Sequence, residues 1–226
     1  MDKAFSSSPK VYWGPLFQTM LTQISEKHIL FNIYDKQAQS GLEGLNAAGR
    51  IVPFDGDYFH LNEANFGGAK SNMFVSEELT QDYNVSNDGT ITKTVTVNYK
   101  NPYAPSDCNL ERGNLCLNAV LRDWFRVYVP KGSKLTSTQG SEVKMKTYEN
   151  LGKTVFEGFL TVRPQGAAKL TLSYTLPFKL ASNSNLPFMI QKQPGTNASM
   201  YTINTNGQKL EAFKLISDKT LNLKLR

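Results

Sequence analysis

"MFVSEELTQDYNVSNDGTITKTVTVNYKN", residues 73–101, decides the fold. Apolar and polar residues alternate with period two on either side of "SNDG", where Asn87, Asp88 and Gly89 supply the positive φ angles of a tight hairpin turn. The same alternation continues through "WFRVYVP", "KLTSTQG", "EVKMKTYENLG", "KTVFEGFLTVRP", "AKLTLSYTLPF", "PFMIQKQPG", "SMYTINTNG" and "KTLNLKLR", with turn signals between them. Thr, Val, Tyr and Phe alternate with Lys, Glu and Ser, so each strand has one buried and one wet face. The spacing predicts about ten strands and no helix over residues 71–226, packed as an antiparallel, immunoglobulin-like β-sandwich.

Upstream the period changes. Val11, Trp13, Leu16, Phe17, Met20, Leu21 and Ile24 recur at three- and four-residue spacing, which predicts an amphipathic helix with those residues in a core. "HILFNIY" reads as a short buried strand, and "DKQAQSGLEGLNAAG" as a second helix capped by Asp35 and stopped at Gly49. A helix–strand–helix unit of this size is too small for a complete α/β domain. Residues 1–70 are therefore expected to be the end of a truncated α/β region, and the fold class to be α+β, mostly β.

The 226 residues are 40% hydrophobic and 11% aromatic, the composition of a folded globular chain. Apolar runs fall far short of the ~20 residues that cross a bilayer. "MDKAFSSSPK" lacks the apolar core of a secretory signal, so an exporting or anchoring segment is expected upstream of residue 1. The net charge of +6 is uneven: residues 1–113 carry 9 Lys/Arg against 13 Asp/Glu, whereas residues 114–226 carry 16 against 6. Lys outnumbers Arg 19 to 6, which suits diffuse attraction to a polyanion better than bidentate reading of phosphates or bases. Lys144, Lys146, Lys153 and Lys169 fall at outward-alternating positions and are candidates for anion or polymer binding, with Lys214, Lys219 and Lys224 as an extension. The plainer reading is that these lysines scatter over the wet faces and discourage edge pairing.

The two cysteines, Cys108 and Cys116, are separated by seven residues of a turn-rich loop. A structural zinc site needs four ligands, and His28 and His60 lie far away in sequence, so no metal is expected. A thioredoxin-like pair has two intervening residues at a helix start. A loop-closing disulfide or two reduced thiols remain; the disulfide is the expectation, and it favours an extracytoplasmic address.

"DGDYFHLNEANFGGAKSN" lacks the ligand spacing of an EF-hand after Asp55 and Asp57. Asn65, Gly67, Gly68 and Lys70 form a candidate junction-loop site for an anion, without the full phosphate-loop pattern; a Gly-Gly turn is the plainer reading. No nucleophile elbow occurs, and the aromatics sit at core periodicity rather than interleaved with Arg, so neither a hydrolase triad nor nucleic-acid readout is expected. Trp124, inside "RDWFRVYV", reads as core; a carbohydrate-binding module would instead expose such a ring on a sheet face.

At "DYFHLNEANFGGAKSN", "YKNPYAPSDCNLERGNLCLNAVLRDWFRVYVPKGSKL", "GKTVFEGFLTVRPQG" and "MIQKQPGT" the chain resembles the bacterial family called domain of unknown function 4012, most specifically from Arg122 to Leu135. The resemblance implies a membrane-anchored cell-envelope protein with a central region distantly similar to LytR-CpsA-Psr phosphotransferases and a β-rich C-terminal part. It transfers no catalytic residue, because Arg50 and Arg112 lie outside any phosphotransferase motif. The expected function is a non-catalytic, extracytoplasmic surface module for adhesion, assembly or contact with anionic cell-wall polymer or another surface protein. It would use no cofactor or nucleic acid, and would meet a membrane only through an upstream anchor. The alternative is the distal part of a phosphotransferase attaching glycopolymers to the wall.

Overall fold

The computed structural model describes residues 9–182 and 184–225. It is mostly β, with 46% strand and 14% helix. Two helices, α1 (Trp13–Ser25) and α2 (Lys36–Gly44), precede β1 (Asp57–Asn65), β2 (Ser76–Val85), β3 (Thr90–Asn101), β4 (Leu121–Pro130), β5 (Lys134–Gln139) and β6 (Lys146–Asn150). β7 (Lys153–Val162), β8 (Gly166–Lys179), β9 (Leu186–Ile190), β10 (Met200–Thr205), β11 (Gln208–Lys214) and β12 (Lys219–Leu223) follow. The strands form two six-stranded sheets, in the orders β12-β9-β1-β4-β7-β6 and β11-β10-β2-β3-β8-β5. Pairing is antiparallel except for β1 with β9 and β2 with β10, which run parallel.

The period-two reading holds where it is strongest. Ile91, Val95, Val97 and Tyr99 of β3 point into the sandwich, as do Leu170, Leu172 and Tyr174 of β8 and Phe125 and Val127 of β4. Each such side chain, fully buried, favours folding by ~1.5–3 kcal/mol. Of the three turn residues expected at positive φ, only Gly89 takes it, at 83°; Asp88 instead fastens the β2–β3 hairpin by accepting from Thr90 and from Lys179 Nζ at 2.7 Å. A Cβ on Gly89 would lie 2.5 Å from the Leu180 carbonyl oxygen, so the close approach of β8 also requires glycine.

Four expectations are corrected. "HILFNIY" forms no strand; it is an irregular connection held by Phe31 N–H donating to Ala47 O at 2.9 Å. With no strand there, α1 has no sheet to cover and buries none of its residues; Phe17 is 57% exposed. Third, β1 lies inside the first sheet, between β9 and β4, so the sandwich begins at Asp57 rather than at residue 71. The Asp35 cap is present, accepting from Ala38 N–H at 2.8 Å, but the helix ends at Gly44, short of Gly49.

The N-terminal segment is tied to the sandwich by a buried Lys27–Asp218 pair at 2.7 Å and by Lys192 Nζ, which donates to Glu26 O and to Thr196 O. Ile51, Val52 and Phe54 then cover Tyr58, Tyr128, Val155 and Met189 on the outer face of the first sheet. Between β3 and β4 a long loop carries the Cys108–Cys116 disulfide, as expected. Its base is fixed by buried Asn118, which accepts from Asn101 Nδ2 and donates to the carbonyls of Tyr103 and Ala104. Among the described residues no helix is long and apolar enough to cross a membrane.

Candidate ligand groove on the outer face of the first sheet

The segment 51–54 covers one end of the first sheet's outer face and leaves the other open. At the open end β4 presents Arg122, Trp124 and Arg126. The register sets Trp124 beside Phe159 of β7 and Ala64 of β1, and Arg126 beside Glu157. The Trp124 ring stacks at a tilt on Phe66, centroids 5.3 Å apart, and is 40% exposed. Trp124 is thus a surface ring, which corrects its reading as core.

Beside it lies a groove of about 360 Å³ lined by Trp124, Val143, Lys144, Lys146, Glu157 and Phe159. Its far wall, residues 141–145, is held by Ser141 Oγ donating to Val143 O at 2.8 Å and by Glu142 accepting from Thr161 N–H and Oγ. Glu157 is shared: Lys146 Nζ lies 3.6 Å away, and Tyr148 OH donates to it at 2.7 Å. Burial and this carboxylate push the Tyr148 hydroxyl up to about 12, so it stays a donor. Arg126 is oriented by donating to Asn62 Oδ1 at 2.9 Å. An apolar floor with cationic rims can stack a sugar ring and attract a neighbouring anion.

Of the lysines singled out by alternation, only Lys144 and Lys146 meet in this groove. Lys153 is buried at the covered end, its Nζ 3.8 Å from the Tyr58 ring centroid, and burial lowers its pKa. Lys169 belongs to β8 of the second sheet. Lys214 and Lys219 sit on β11 and β12 at the opposite edge, with Lys219 Nζ 4.6 Å from the Phe213 ring. The basic half of the chain is therefore split between edges and faces.

The junction loop is a turn that satisfies itself. Asn65 Oδ1 accepts from Gly67 N–H at 2.7 Å while its Nδ2 donates to Ala69 O, and Gly68 takes φ 75°. Lys70 is exposed. The loop's contribution to the groove is Phe66. Asp57 is no calcium ligand either; it is buried against Lys93.

A second polar feature was not foreseen. Glu63, Glu77 and Asp123 point between the sheets at one end, and Glu63 and Glu77 open onto a cleft of about 520 Å³ walled by residues 193–199. Tyr99 OH donates to Glu63 at 2.7 Å, and Ser199 Oγ to Glu77 at 3.3 Å. Burial first, and the neighbouring carboxylates second, push Glu63 up to about 8; Glu77 is raised for the same reasons. Burial likewise pushes Asp123 up to about 7. Such a cluster stores protons near neutral pH. Among the described residues no His, Cys, Asp and Glu group has a metal-binding arrangement.

No family model matches the chain, and no curated protein sequence matches it significantly. Among solved structures, a proposed nutrient binding protein from Legionella pneumophila is similar at 8% identity with TM-score 0.41, over 74% of this chain and 70% of that one. An M1 zinc metallopeptidase from Deinococcus radiodurans is similar at 12% identity with TM-score 0.30; the match covers 66% of this chain but only 38% of the peptidase. At these scores neither likeness says anything about activity.

Proposed function

We propose that this chain is a non-catalytic binding module of the bacterial cell envelope that contacts anionic glycopolymer through the Trp124 groove. The observation that carries the reading is an exposed, Phe66-backed tryptophan with Lys144 and Lys146 beside it on a rigid sheet. Stacking on a ring face suits a sugar, and lysine charge at the groove rim, with Lys146 only loosely held by Glu157 at 3.6 Å, suits a phosphate or uronate. The disulfide favours an oxidising compartment, in keeping with an extracytoplasmic address. In this reading the sandwich serves as immunoglobulin-like modules do, as a stiff frame for a binding face, although its strands outnumber their about seven to nine. Attachment to a membrane, and the resemblance to the envelope family, belong to the same proposal.

The test is retention on immobilised phosphate-bearing wall polymer at low and high salt. Trp124→Ala should weaken binding at least ~10-fold, or ~1.4 kcal/mol, at both salts. Lys144→Glu with Lys146→Glu should weaken it mainly at low salt, because exposed charges are screened over ~8 Å at physiological ionic strength. Weak retention unchanged by either variant would reject the reading.

A further inference from the structure

Lys93 is the one lysine of β3 that alternation places on the inward face, and it is wholly buried. On its own sheet the register flanks it with Tyr83 of β2 and Tyr174 of β8. It reaches across the sandwich to Asp57 of β1, also wholly buried, with Nζ 2.6 Å from Oδ2. Nζ has aromatic rings around it, their centroids 3.9 Å away for Phe188, 4.8 Å for Tyr83 and 5.4 Å for Phe59. Asp57 Oδ2 accepts a second hydrogen bond from Tyr83 OH, and Oδ1 accepts one from Tyr58 N–H at 2.8 Å.

We propose that Lys93 and Asp57 condense into an intramolecular isopeptide bond that joins the two sheets. Held as ions, the pair bears the desolvation penalty of two buried charges, several kcal/mol each, set against one short contact. Passing a proton from Nζ to Oδ2 removes both charges, and burial favours the neutral amine by pulling Lys93 down to about 8. The neutral amine then faces a neutral acid whose carboxyl carbon lies one C–O bond beyond Oδ2. Nζ attacks that carbon, and the charge developing on Oδ1 is stabilised by the Tyr58 N–H. Tyr83 OH relays the proton leaving nitrogen to Oδ2, which departs as water, and recovers its own. One C–N bond forms, one C–O bond breaks, one water leaves, and nothing is oxidised or reduced. Held at contact distance, such groups reach effective molarities of ~10⁵–10⁸ M. The dry aromatic surroundings keep out the water that would reverse the step.

Intact mass of the full chain, with the disulfide present, reads the bond directly. The expected mass is lower than that of the disulfide-bonded sequence by one water, and trypsin should leave Lys93 uncut and branched to the peptide containing Asp57. Lys93→Arg should abolish the loss. Asp57→Asn keeps an electrophile of the same shape and should lose one ammonia instead. Tyr83→Phe should slow formation by at least ~10²-fold, as expected for loss of a proton relay, while the final mass is still reached. Wild-type protein of unreduced mass after prolonged incubation, with trypsin cutting after Lys93, would overturn the proposal, and so would a water loss that persists in Lys93→Arg.

Discussion

Gly158, on the inward parity of β7, makes room between core Phe125 and the segment 141–145 that walls the groove. A Cβ there would fall 2.4 Å from Met145 Sδ, 2.5 Å from the Phe125 ring and 2.7 Å from Ser141 Oγ. Phe125 is core and cannot yield, so the wall at 141–145 must lift. Gly158→Ala is expected to cost ~1–3 kcal/mol of stability by overpacking and to weaken polymer binding with it; urea denaturation and the wall-polymer assay read the two effects separately. The surface role of Trp124 was legible in "RDWFRV": it shares parity with Arg122 and Arg126, which alternation puts in water, while Asp123, Phe125 and Val127 share the inner face. Parity equally puts Lys93 inside, between Ile91 and Val95. Its partner was not legible, because Asp57 lies 36 residues earlier in a segment read as part of a different domain.

At the scale of elements, short-range patterning carried the inner strands downstream of residue 72 and the place of the hairpin turn, where burial on one face forces strict alternation, but it passed over the inner strand β1, whose first five residues are buried on both faces. It missed β11, an edge strand with almost no buried residue and hence no alternation to read. It also found α1 as a helix yet wrongly gave it a core, since an amphipathic period predicts a face and says nothing of what covers it. The 108–116 loop was read as a staple and is one. Because the closed loop is short, and Asn118 independently fixes its base, reduction is expected to cost no more than ~2–3 kcal/mol. A modest fall in Tm with an unchanged far-ultraviolet circular dichroism spectrum would agree; collapse of the strand signal would mean the loop holds the sandwich together.

For the molecule as a whole, the buried ionisable groups predict how stability changes with pH. Glu63 at about 8 and Asp123 at about 7 hold protons in the folded state at pH values where the unfolded chain, with carboxylates near ~4, has lost them. Their contribution is therefore complete below pH ~4 and disappears as pH rises through 7 to 8. His60 acts oppositely. Burial holds it neutral, down to about 4 from 6.5, although its Nδ1 bond to Gln191 O opposes the shift, so its contribution falls only as pH drops below 6.5. Lys93, if still titratable, adds stability only as pH rises above about 8. The interval from pH 6.5 to 8 thus isolates the carboxylates, and there the unfolding free energy should fall by ~1–3 kcal/mol, since a one-proton difference is worth ~1.4 kcal/mol per pH unit. Urea denaturation at both ends of that interval measures the fall. Glu63→Gln, Glu77→Gln and Asp123→Asn together should flatten it, because the amides keep the shape without a proton to lose. A wild-type stability that stays constant or rises between pH 6.5 and 8 would mean that the cleft carries its carboxylates as anions and that the cluster is not a proton store.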